Sequence, residues 1–517
     1  MPATDSPAVL VARFLKSNNY DETLDLFLRE AGLPSDASTV DAGDLTIENV
    51  LQEKKIFDLS VRFEKIGIGE DPPWLSPAPS EPTTLTTLPS ASNLLSVSIE
   101  RIKTRSDGAP AQHLLATTAD RRLHVISTDP TSYALVASHA QLHDSPILSC
   151  AVVSQRWLIT TSMSGQVLLY DFVTKKTLDE RRDHAKYVIK VAVWEDEDKG
   201  DVLVATAGWD AKVLIYRLHG LPGLGYERPE EEEEAEGEGS EDQARDIKFN
   251  EPVASIALPT NPEAILFAHH PNSTTPILIL TRRDSTFLYF YSIPSPPSST
   301  PSNPSAQLLG KQNLAPHSNA WISFSPSSIA ISPTDPTLIA IATSTVPYMK
   351  LILARLLLPM PTPPSTPQQP HQQTQDSLTQ PSPHPNQAAQ ARSELATQDA
   401  EAAAILSHTS TLATQTAYST PLVVWRPDGS GVWVNSDDGV VRGVEARSGK
   451  VVCGLSGSSS ASAASALVHD GHETGAKIRC LWAGRVEARA GEHEEWLLSG
   501  GFDKRLVVWR AGRAGGS

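Results

Sequence analysis

Cysteine is almost missing from this sequence of 517 residues, which has only Cys150, Cys453 and Cys480. They are odd in number, far apart and set in apolar segments. That usage excludes a disulfide framework, shows no zinc-ligand spacing and fits a reducing compartment. No three basic residues stand together, and the formal charge is −17. Nuclear-import and polybasic membrane signals are therefore missing, as is the cationic patch that grips a nucleic-acid backbone. Long apolar runs are missing too. Arg13 and Lys16 interrupt the early one, which argues against a signal peptide. The run Leu351 to Leu358 is broken by Arg355 and is too short to cross a bilayer. No glycine-rich phosphate loop, HExxH or paired-carboxylate motif is present. The expectation is a soluble intracellular protein, cytoplasmic or nuclear, with no cofactor, metal, membrane or direct nucleic-acid contact.

What is present divides into two kinds of pattern. Residues 5–36 read as a helical hairpin, with Leu10, Val11, Phe14 and Leu15 at helix spacing, then Leu24, Phe27, Leu28 and Ala31. Asn18 and Asn19 supply left-handed backbone between the helices, Asp21 is read as the N-cap, and Gly32-Leu33-Pro34 is the stop. A further, charged helix is predicted over 44–68, with a linker at 69–82. Two helices of about ten residues bury too little surface alone, so their apolar faces are expected to meet a second copy.

From residue 83 to 513 the pattern is short apolar runs between Asp/Gly/Ser turns, self-similar at a period of about 40–50 residues. The clearest copies are LITTSMSGQVLLYDF (158–172), LVATAGWDAKVLIYRL (203–218) and WLLSGGFDKRLVVWR (496–510), with a weaker one at 114–127. In the two best copies a turn aspartate stands six residues before an aromatic, Asp210 to Tyr216 and Asp503 to Trp509. Seven units are counted, starting near 94, 143, 185, 252, 317, 404 and 467. The last lacks a fourth strand, and the stretch at about 83–89 is the natural donor, which would close the ring and remove exposed sheet edges. Insertions at 227–246, 294–306, 359–393 and 456–466 are too polar or too biased in composition to order themselves, and are expected to be disordered.

The hairpin resembles the LisH motif, a small dimerisation module, through Phe14, Leu15, Tyr20, Thr23, Phe27 and Glu30, with Asn19 where that family has glycine. The helix after it is weakly CTLH-like. The units from 94 onward resemble WD repeats, most fully at Gly471-His472, Ser499, Asp503 and Trp509, and again at His184, Thr206, Asp210 and Tyr216. The resemblance implies a mainly β fold, a seven-bladed WD-repeat β-propeller preceded by a small helical LisH segment. It also implies a scaffold in a multi-subunit complex, with chromatin or transcription and ubiquitin-ligase assemblies left undecided.

Ser499, His472 and Asp503 have the composition of a nucleophile, base and orienting carboxylate. The same set recurs in the third unit, which a catalytic triad has no reason to do. In WD repeats these residues form a structural hydrogen-bond chain, and that reading is preferred. The adjacent His269 and His270 point to opposite faces of a strand and share no metal. His139 and His143 have i,i+4 spacing but lie in a loop. The acidic run Glu230–Glu234 reads as a solvated loop, the competing reading being a docking strip for a basic partner such as a histone tail. The segment 361–370 has PxxP spacing, and Thr362, Thr366 and Ser382 precede proline, as in SH3 ligands and phosphorylation sites.

Two functional classes follow. One is a homodimeric, non-enzymatic adaptor for protein partners, paired through Leu10, Phe14, Leu15, Tyr20, Leu24 and Phe27. The other is a propeller-based hydrolase, which would need acids or histidines on several innermost strands, where apolar and small residues predominate. In WD repeats the residue before the turn aspartate faces the binding surface. Here those positions are Trp209, Phe502 and Arg283, residue types that dominate interface energetics.

Overall fold

The computed structural model describes residues 7–39, 46–47, 74, 77–196, 201–218, 247–270, 275–294, 306–316, 324–359, 387–457, 471–489 and 492–511. The chain divides into two compact units, Met1–Asp71 and Pro72–Ser517.

The first unit contains helices α1 (Pro7–Ser17) and α2 (Asp21–Glu30). Ala12, Leu24 and Leu28 form their shared core, with Leu15, Phe27, Leu33 and Ala37 packed against it. Asn19 takes the left-handed backbone at φ 59°, and Gly32 does so at φ 64°. The N-cap of α2 is Tyr20 and not the expected Asp21, which is the first helical residue. There its carboxylate favours the positive end of the helix and meets Lys16 at 3.2 Å. The helix predicted over 44–68 falls almost wholly outside the described residues.

In the second unit the short apolar runs become strands, the middle ones of each sheet burying both faces between neighbouring sheets. Among the described residues there are seven antiparallel four-stranded sheets, so the fold is a seven-bladed β-propeller. Blades 1 to 7 span 94–139, 147–181, 188–257, 262–313, 326–414, 423–455 and 478–510. Their first strands touch in succession and return to the start, forming the inner ring. Seven apolar clusters fill the spaces between successive blades; Trp157 and Tyr216 share one, and Trp433 and Trp509 another.

Blade 7 is completed by Glu81–Thr84, which pairs with its outer strand from Glu81↔Arg510 to Thr84↔Val507. The closing strand therefore begins two residues before the predicted stretch. Just upstream, Trp74 is buried edge-on against Trp433, 5.0 Å between ring centroids, with the Arg426 guanidinium 4.4 Å above it. Gly443 is required here, since a Cβ at that position would collide with the Trp74 indole.

Two unit boundaries differ from the sequence reading. The strands Ala254–Ala257 and Ile405–Thr414, read as the openings of units four and six, are the fourth strands of blades 3 and 5. Both follow insertions placed between third and fourth strands, which separate them in sequence from their own blades. The insertion expected to be disordered to residue 393 also ends earlier. Helix α3 (Gln387–Ala404) starts within it, as its run of Ala, Gln and Glu favours. The carboxylate of Glu401 accepts a hydrogen bond from the Asn313 backbone at 2.7 Å, tying α3 to blade 4. Residues 227–246 and nearly all of 294–306 and 456–466 lie outside the described residues.

Candidate functional site

The polar residues singled out in blade 7 form one continuous chain. His472 bonds Asp503 through Nδ1 at 2.9 Å and Ser499 Oγ through Nε2 at 2.8 Å, and the Trp509 indole N–H donates to the same Oγ at 2.8 Å. Ser499 is fully buried and His472 almost so. A serine whose oxygen already accepts an indole proton, with no path to solvent, cannot attack a substrate. Burial pushes the Asp503 carboxyl up. The bond and charge of His472 and the backbone N–H groups of Glu473 and Arg505 outweigh it, so its pKa lies below the ordinary range.

Blade 3 repeats only part of this. His184 bonds Asp210 at 3.0 Å and Thr206 at 2.9 Å. Tyr216 differs from Trp509 in that its hydroxyl donates to Asp183 at 3.1 Å, in the loop before the blade, while the Thr206 hydroxyl acts on the same phenol oxygen. An indole N–H projects from the side of the ring, whereas a phenol hydroxyl sits at its far end and reaches the preceding loop as well. Asp183 is also paired with Arg181 at 2.6 Å.

Blade 2 holds a variant the sequence reading missed. His143 bonds Thr160 at 2.7 Å and Gln166 at 2.9 Å, while His139 stacks edge-on to Tyr170, so the two histidines do separate work. The available signal was Thr160 standing ten residues before Tyr170, as Ser499 stands before Trp509. In blade 1, Asp120 accepts from Ser90 at 2.6 Å and also from Thr118.

These chains hold the turns on one end of the propeller. In blades 1 to 5 and 7 the residue entering the turn between second and third strands donates its backbone N–H to the residue just before the inner strand. Trp209 to Tyr187, Arg283 to Asn261 and Phe502 to Lys477 are three of these bonds, 2.8–2.9 Å long. The three candidate partner-binding residues thus occupy equivalent places on one face. Trp209 and Arg283, on adjacent blades, come together. The Arg283 guanidinium lies 5.8 Å over the indole, which stacks on Tyr187 at 5.6 Å. Arg283 also pairs with Glu263 at 2.8 Å and stays half exposed. Phe502 belongs to blade 7, adjacent to neither, and is 44% exposed. Tyr187, which carries no motif, was not singled out from the sequence.

The inner strands depart from the apolar expectation at this same end. Each inner strand of blades 1 to 5 and 7 carries a register irregularity near its start. A bulge re-aims side chains locally. Lys190 stands beside the irregularity in blade 3, and Glu263 and Arg479 within those of blades 4 and 7. Burial pulls the pKa of Lys190 below the usual lysine range, with the charge of Arg479 adding to it, and burial lowers Arg479 likewise. Neither side chain has a hydrogen bond or ion pair among the described residues. At the opposite end a cavity of about 500 Å³ is lined by Glu100, Arg101, Ser154, Gln155 and Glu195, among others. The thiols are free, and burial pushes Cys150 and Cys480 up to about 12 and Cys453 to about 11, which keeps them protonated.

In the helical unit, Leu24 is buried in the hairpin's own core. Leu10, Phe14, Leu15 and Phe27 are half-buried, and Tyr20 is exposed. Leu26, at 65%, is the most exposed large apolar residue of the hairpin and was not among the candidates. Among the described residues no group of His, Cys, Asp and Glu could hold a metal ion, and no helix is long and apolar enough to cross a membrane.

The family model described as the UCP007778 β-propeller domain matches residues 86–453, and the one described as the UCP007778 LisH domain matches residues 8–38. The first match takes in most of the chain and ends in the last strand of blade 6, leaving blade 7 and its closing strand outside. No curated protein matches the sequence.

Proposed function

The chain belongs to the UCP007778 family of LisH and β-propeller proteins, and from that premise we propose that it is a non-enzymatic scaffold. It dimerises through the LisH hairpin and presents one propeller face to protein partners inside the cell, in cytoplasm or nucleus. Its blades are WD-type repeats, a reading supported by the Asp503–His472–Ser499–Trp509 chain. The observation that carries the scaffold reading is the cluster of Tyr187, Trp209 and Arg283, with Phe502 on the same face. Aromatic and guanidinium groups of this kind supply most of the binding energy in protein interfaces. A hydrolase is the competing class, and the buried Ser499 offers it no nucleophile.

The test is affinity capture with Trp209→Ala plus Phe502→Ala. The variant is expected to keep its thermal transition within a few degrees and to lose the main partner. Unfolding, or undiminished capture, would place the surface elsewhere. For pairing, Phe14→Asp with Phe27→Asp is expected to halve the mass seen by light scattering, because an unpaired charge at a desolvated interface costs several kcal/mol. An unchanged mass would remove the hairpin from the assembly.

A further inference from the structure

Among the described residues, Lys190 and Arg479 are enclosed cations with no hydrogen bond or ion pair. Both are half-buried near the starts of inner strands, on blades 3 and 7, which are not adjacent. Their strands form part of the ring that bounds the central channel, and both residues sit at the end bearing Tyr187, Trp209 and Phe502. The carboxylate whose charge acts on Arg479 is Glu263, whose own ion pair at 2.8 Å is with Arg283. Asp284 lies close enough to Glu263 to raise its pKa further, behind the dominant effect of burial. Two cations enclosed by protein and lacking counter-ions are unfavourable as they stand, and an incoming anion relieves that.

We propose that the channel mouth on this face is an anion-binding site, formed by Lys190 and Arg479, that takes an acidic side chain from an extended peptide partner. The inference rests on the reading of this face as the partner-binding one and adds the partner's chemistry. A peptide fits better than a small inorganic ion. The aromatic groups around the mouth have nothing to contact on bare phosphate but do on a polypeptide. The depressed pKa values of both cations agree, since a carboxylate beside them stabilises their charged forms.

The experiment uses the full chain and a fluorescein-labelled oligoglutamate peptide, with oligoglutamine as the neutral control, read by anisotropy at low and high salt. The wild type is expected to prefer oligoglutamate, with an affinity that falls as salt rises. Lys190→Met with Arg479→Met keeps the apolar volume and is expected to weaken binding about tenfold or more. Equal binding by a folded double variant overturns the proposal. Should that variant fail to fold, wild-type Lys190 is footprinted with an amine-reactive reagent. Protection by oligoglutamate but not by oligoglutamine is expected, and no protection with peptide bound overturns the site. Deleting residues 228–243 is expected to leave the affinity unchanged. A marked gain would overturn the partner assignment and make the chain's own acidic segment the occupant. Unchanged oligoglutamate binding in the methionine variants removes the anion site and leaves the face standing. Undiminished partner capture by the Trp209 and Phe502 variant removes the face itself.

Discussion

Blades 7 and 3 reach the same end by different wiring. In blade 7 the chain runs from the turn aspartate through histidine and serine to an indole, with the buried histidine and serine each bonded on both sides. In blade 3 it runs through His184 and Thr206 to a phenol, and Tyr216 also anchors Asp183, which Arg181 holds too. The loop before blade 3 is thus tied twice, by His184 to the turn and by Asp183 to the third strand. A tryptophan locks the blade through its middle, whereas a tyrosine locks the loop from below. Both arrangements fix an aromatic on the candidate face, Phe502 in one case and Trp209 with Tyr187 in the other.

The comparison breaks most visibly at the turn aspartates. Asp503→Ala strips partners from His472 and from two backbone N–H groups, and should destabilise the protein by about 2–3 kcal/mol in a denaturant titration. Asp210→Ala should cost somewhat less, because Asp183 still holds the adjoining loop. Equal losses would mean that the second tie carries nothing. At the aromatics, Trp509→Phe should cost about 2 kcal/mol, from the lost N–H bond and the void it leaves. Tyr216→Phe should cost about 1 kcal/mol, since Asp183 keeps Arg181.

The smallest and sharpest effect is in acid. The pKa values of Asp503 and Asp210 are held below the ordinary carboxylate range, because hydrogen bonds and histidine charge outweigh burial. Their contribution is complete above the unfolded value of about 4 and is lost as pH falls through the folded values. Melting temperature should therefore be level above that range and drop below it, with a shallower drop in Asp503→Asn. An unaltered acid limb in that variant would show that the carboxylate's charge is irrelevant to the lock.

The architecture was legible where strands announce themselves by apolar runs beside a turn. Units starting near 94, 143 and 185 stand close to blades that open at 94, 147 and 188 for that reason. The fourth strands were harder to read. Ala254–Ala257 alternates buried and exposed residues over only four positions, and Ile405–Thr414 follows a long polar insertion and a helix. Each still pairs with the strand before it, but the insertion between them hides that partner in the sequence. At the candidate site, Trp209, Arg283 and Phe502 were located by their offset from the turn. Tyr187, Lys190 and Arg479 were not, because a loop aromatic and lone cations on inner strands carry no spacing to recognise. Only the bulges and the ring bring them to one end.

Closing blade 7 with Glu81–Thr84 also sets a timetable. The partner of Glu81 is Arg510, so at ribosomal rates its mate emerges on the order of tens of seconds later. Through that interval six blades can be built while the ring stays open and Glu81–Thr84 waits unpaired. A chain cut shortly before Leu506 would leave that strand without a mate and blade 7 with bare edges. Such edges are templates for pairing with foreign strands. The last few residues of blade 7 therefore decide whether the ring is open or closed.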